Sequence, residues 1–174
     1  MDKAQRQFEQ WEQKLRTVEL PLWNQLPKFD LYMDQVTALV NEILGPLEID
    51  PITPAMINNY VKKNAIIAPI KKKYQTMQIA DIILITLLKP AYSLDIIRHG
   101  IDQVTANVYP QKGYDDFIKR LTFAFRNINQ RTAPLKDENF TDKLMQVAVN
   151  VIIDRLQSEK ILKIMEKPLP QITK

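Results

Sequence analysis

Only three glycines occur among 174 residues, Gly45, Gly100 and Gly113, against eleven prolines. Tight turns between strands need residues that accept positive φ, which glycine does without strain. A chain so poor in glycine is expected to be mainly helical, with prolines cutting the helices to length. Its length suits one domain, or one domain with helical extensions, and is enough to bury a core.

Apolar periodicity divides the chain accordingly. Phe8, Trp11, Leu15 and Val18 form one stripe of a helix over 3–18. Pro21 and Pro27 then break it, and Trp23 and Leu26 between them are expected to pack on the core. A second helix is expected over 31–44, ended by Gly45 and Pro46. Thr53 followed by Pro54 reads as an N-cap with proline at the first helical position. That third helix should run to Lys63, with Asn64 as a left-handed stop. Residues 65–75 are expected to be a loop or short hairpin. Thr76 then caps a helix facing Ile79, Ile82, Ile83, Leu87 and Leu88 inward. Ser93 caps the next, and Gly113 precedes a helix over 114–129. A polar linker is expected at 130–139, then one long helix over 140–167 closed by Pro168 and Pro170.

Several function classes find no support. The absence of cysteine excludes disulfides, thiolate metal sites and cysteine nucleophiles. His99 is the single histidine, Asp115 and Asp116 are adjacent and do not share a helix face, and no phosphate loop or metal spacing is present. No enzyme activity, metal or cofactor is therefore expected. The first twenty residues carry scattered charges and no apolar core of a signal peptide. The most apolar run, Ile79–Leu88, is too short to span a bilayer. A cytoplasmic location is expected.

Charge is unevenly spread. Residues 1–50 hold five basic and nine acidic side chains, whereas residues 51–80 hold five lysines and no acid. A compact positive island resembles the footprint of a polyanion-binding surface. On the helix 54–63, Met56, Ile57, Tyr60 and Val61 share one side, while Ala55, Asn58, Asn59, Lys62 and Lys63 share the other. Asparagine can pair bidentately with adenine, and lysine can reach guanine edges or phosphates. Lys71, Lys72, Lys73 and Tyr74 follow on the loop, where they can hold a phosphate backbone. The candidate contacts to DNA are thus Thr53, Ala55, Asn58, Asn59, Tyr60, Lys62, Lys63 and Lys71–Tyr74. A core role for either tyrosine remains the alternative.

The run from Met56 to Lys63, the loop Ile66-Ile67-Ala68-Pro69, the pair Lys73-Tyr74, Thr76, and Ser93-Leu94-Asp95-Ile96-Ile97 resemble the DNA-binding domain of MerR-type regulators. Leu31–Val36, Ile52–Lys62 and Lys71–Tyr74 carry a closer likeness to a bacterial family of unknown function with a MerR-like module. The resemblance implies a winged helix-turn-helix over 31–105, with at most a small β-wing at 70–74. An N-terminal helix and linker at 1–30 and a helical region at 106–174 would flank it. It further implies transcription regulation on double-stranded DNA, as a homodimer through the C-terminal helices. The departures are Asn58-Asn59 in place of an arginine-tyrosine pair, Asn64-Ala65 in place of a glycine, and the absence of a cysteine-based sensor. A protein-interaction adaptor on the same scaffold is the alternative. Its lysines would meet an acidic protein surface or anionic lipid.

Overall fold

In a computed structural model describing residues 2–130 and 139–166, the central element is helix α4, Thr76–Leu88. Every residue from Gln78 to Leu88 except Asp81 is buried. The expected single inward face is therefore too narrow. Helices α2 (Met33–Leu44), α5 (Leu94–Thr105), α6 (Pro110–Arg126) and α7 (Phe140–Met165) all pack against α4. A helix apolar on all sides has nowhere stable to lie except inside a core.

On one flank, α2 buries Val36, Val40 and Leu44. The expected helix start at residue 31 moves to Met33, because Leu31 and Tyr32 form strand β1. This strand pairs antiparallel with β2, Lys73–Tyr74, with Leu31 opposite Tyr74 and Tyr32 opposite Lys73. Past α2, a 3-10 turn at Gly45–Leu47 leads to α3, Pro54–Lys62.

On the other flank, α1 (Lys3–Arg16), α6 and α7 pack together. Trp11 and Leu15 of α1 are buried as their stripe predicts, and buried Glu12 accepts a hydrogen bond from the Gln157 amide at 3.2 Å. The linker between α1 and α2 is pinned on α6. Tyr114 Oη donates to the Pro21 carbonyl at 3.0 Å, and the Trp23 amide donates to Asp115 Oδ1 at 2.7 Å.

One further expectation needs correcting. Helix α6 begins at Pro110, not beyond Gly113, because Tyr109 is extended and Pro110 occupies the first helical position. Asp115 and Asp116 accordingly lie inside the helix, the former holding the linker and the latter paired with Lys112 at 2.6 Å. In α7 the inward stripe is Met145, Val149, Ile152 and Leu156, while Leu144, Val147, Ile161 and Met165 are exposed. The expected linker at 130–139 and the closing prolines 168 and 170 fall wholly or mostly outside the described residues. Among the described residues, no helix is long and apolar enough to cross a membrane.

Gly113 marks a close approach of α5 and α6. A Cβ there would lie 3.0 Å from Thr105 Cγ2 and 3.2 Å from Val104 Cγ1, whereas one on Gly100 would meet nothing within 4 Å. Gly113→Val should therefore cost about 1–3 kcal/mol by overpacking. Gly100→Ala, within α5, should gain up to about 1 kcal/mol from helix propensity. Urea denaturation of both variants checks the pair; equal effects would contradict this packing.

Candidate nucleic-acid interface

Helix α3 starts where Thr53 Oγ accepts the Met56 amide at 3.3 Å, with Pro54 in the first turn. Its inner face buries Ile57 and Tyr60 completely. Ala55, Asn58, Lys62 and Lys63 are exposed, together with Thr53, while Asn59 is half-buried on the flank. Asn64 stops the helix at φ +55°, and the amides of Ala65 and Ile66 return to the Tyr60 carbonyl. The expected polar face is present, narrowed by Asn59.

Side chains from neighbouring elements hold α3 at both ends. Ahead of it, the Asn41 amide group bonds both the N–H and the carbonyl of Ile52, at 2.8 and 3.0 Å. Behind it, Arg98 Nη1 donates to the Ala65 carbonyl at 3.1 Å and to Asp81 Oδ2 at 2.9 Å. Buried Gln78 accepts from the Gln75 amide and donates to the carbonyls of Ile67 and Ala68. Together Arg98 and Gln78 fix the course of the chain from α3 to the lysines. The sequence reading missed Asn41 and Arg98, whose partners lie 11 and 33 residues away. Gln78 carried one local signal, its place three residues after a helix N-cap.

The lysines sit on a tight two-residue turn. The main chains of Ile70 and Lys73 exchange hydrogen bonds at 3.1 and 2.9 Å, and Lys71 and Lys72 between them adopt φ of +49° and +64°. This is the hairpin geometry that favours Asn-Gly. Both lysines are exposed. Lys73 is half-buried, its ammonium 5.1 Å from the Tyr32 ring centroid. Ile67 and Ile70, each 61% exposed, flank the turn.

Tyr60 and Tyr74 are corrections to the candidate list. Their relative exposures are 0% and 2%, so neither reaches a surface ligand on this face. Tyr60 points inward because it shares the helix face of Ile57, and Tyr74 because it pairs with Leu31 in the strand register. Burial raises the pKa of both hydroxyls, so both stay protonated.

Asp81 is held in a semi-buried site, and burial raises its pKa despite the opposing pull of Arg98. A carboxyl whose folded pKa exceeds its unfolded one favours the fold at low pH, and this contribution is lost as pH rises through the folded value. Arg98→Met should therefore cost more at pH 7, where Asp81 must ionise unpaired, than near pH 4, by about 1–2 kcal/mol. Denaturant titrations at the two pH values measure the difference. Replacing Lys71-Lys72 by Asn-Gly should separately raise stability by about 1–2 kcal/mol, by relieving two left-handed lysines. A lower melting temperature would mean that the lysines hold the turn.

No curated protein and no solved structure matches the chain. A family model described as Domain of unknown function (DUF1836) matches residues 21–117. That span runs from the linker through β1, α2, α3, the lysine turn, α4 and α5 into α6. It includes both partners of the Pro21–Tyr114 and Trp23–Asp115 contacts, which close the unit on itself. On that match, covering more than half of its residues, the chain belongs to the DUF1836 family.

Proposed function

We propose that this protein is a DNA-binding transcriptional regulator of the MerR-like winged helix-turn-helix kind, inserting α3 into a major groove and resting the Lys71–Lys72 turn on the backbone beside it. The observation that carries the reading is the pair of exposed lysines at positive φ. Strain tolerated in a backbone motivates a search for its use, and two cations at a hairpin tip suit a phosphate backbone. Further support comes from the acid-free stretch 51–80 and from the order of elements, strand, two helices, tight turn and helix pair. Exposed Phe140, Leu144 and Val147 on α7 offer an apolar strip through which a homodimer would set half-site spacing.

A second reading, a protein-interaction adaptor acting through the same turn, draws on exposed Ile67 and Ile70. Salt separates the two. Each phosphate neutralised contributes about −0.9 to the slope of log K against log salt. Fluorescence anisotropy on duplexes should give a slope of roughly −3 to −4 if Lys62, Lys63, Lys71 and Lys72 all engage phosphates. Lys72→Ala should weaken binding to every duplex and flatten the slope by about 0.9. Asn58→Ala should instead cost about 1–3 kcal/mol on preferred sequences alone. Binding that ignores salt, or no binding at low salt, would refute the DNA reading.

A further inference from the structure

Helices α4, α5, α6 and α7 leave a cavity of about 120 Å³ between them, beside the pinned linker at Trp23. Buried Leu84, Ile97, Phe117 and Met145 line it from the core, and Ile96 and Leu144, 59% and 44% exposed, line its solvent side. The wall is almost wholly apolar.

Polar groups along the wall already have partners. Thr105 Oγ1 donates to the Ile101 carbonyl at 2.8 Å, and Tyr114 Oη to the Pro21 carbonyl at 3.0 Å. Asp81 is the single charged residue among the described lining residues, and Arg98 meets its charge at 2.9 Å. The cavity therefore selects neither an anion nor a cation. A buried water makes about three hydrogen bonds, whereas an apolar cavity of roughly 150 Å³ stays dry and takes up a benzene-sized molecule.

Two further features bear on the occupant. Trp23, Tyr92, Tyr114 and Phe117 all border the cavity, and the Trp23 and Tyr114 rings meet edge to face with centroids 6.0 Å apart. Rings placed around a space of this size favour a planar aromatic guest, through edge-to-face and offset contacts. Gly100 keeps the space open. Ile96, Gly100 and Val104 follow one another at four-residue steps on α5, so they share one face, and all three line the cavity. A Cβ on Gly100 would meet nothing within 4 Å, in contrast to one on Gly113. The room is there for a side chain, and the sequence supplies none.

We propose that this cavity binds a small neutral aromatic molecule of a single ring, held by apolar contact without a hydrogen bond.

The test uses the full chain without DNA, so its failure is distinct from failure of the DNA reading. Toluene is the probe, and sodium benzoate is the control that carries the same ring with a charge. Toluene at about 5 mM should raise the melting temperature by about 2–4 °C, the shift expected for a dissociation constant of about 1 mM. Methyl resonances of Ile97, Ile101 and Met145 should move with toluene, while that of Met56 on α3 should not. Benzoate should do neither. Gly100→Leu fills the space and should match or exceed the parent melting temperature without ligand, yet weaken toluene at least about tenfold. Ala148→Leu, from the α7 wall, decides by the same criterion if Gly100→Leu fails to fold. The proposal is overturned if toluene moves neither the melting temperature nor the methyl resonances, if benzoate binds equally, or if the folded filling variant binds toluene like the parent. It is also overturned if light scattering shows a dimer that Gly100→Leu dissociates, since a second copy would then be the occupant.

Discussion

Helix α4 has almost no solvent face, and the rest of the molecule is arranged by that fact. Its ten buried residues are enclosed by helices from both flanks. Each fully buried isoleucine or leucine contributes about 1.5–3 kcal/mol, against about 1 kcal/mol net for a typical hydrogen bond. Apolar burial therefore decides where α4 lies, and the polar contacts decide what is tied to it. Two of its polar side chains, Gln78 and Asp81, face the segment after α3, the first by bonding Ile67 and Ala68 and the second through Arg98 and Ala65. The core thus fixes the spacing between α3 and the lysine turn through a small set of directed bonds.

What was legible in the sequence was local. Thr53, Ser93 and Asn64 act as expected at helix ends, because a cap depends on neighbours within a few residues. The division of α3 into inner and outer faces follows from its period, apart from Asn59 on the flank. The mainly helical class follows from the scarcity of glycine.

What was not legible depends on partners far along the chain. The pairing of Leu31 with Tyr74 could not be read from two-residue strands, yet it turns Tyr74 into the core. The start of α6 at Pro110 is not marked by Gly113, which lies inside the helix as the point where α5 presses on α6. In α7, a helix with apolar residues on several faces, period alone did not choose the buried stripe; contact with α1 and α6 did.

The departures from local preference are concentrated around α3. Four non-glycine residues among those described have positive φ, and Asn64 is accounted for as a helix stop. Of the other three, Glu48 likewise ends the 3-10 turn at Gly45–Leu47, and Lys71 and Lys72 form the turn beyond α3. On the inner face of α3 the buried Tyr60 hydroxyl has no hydrogen-bond partner among the described residues. A sequence shaped by folding alone would do better with Asn-Gly at the turn and phenylalanine at Tyr60, since each change removes strain or an unmet donor. Where a chain is otherwise consistent from caps to core, sites that forgo stability are the expected locations of function. Here they lie on either side of one nine-residue helix, with cations beyond the end of its solvent face and an unmet hydroxyl on its inner one.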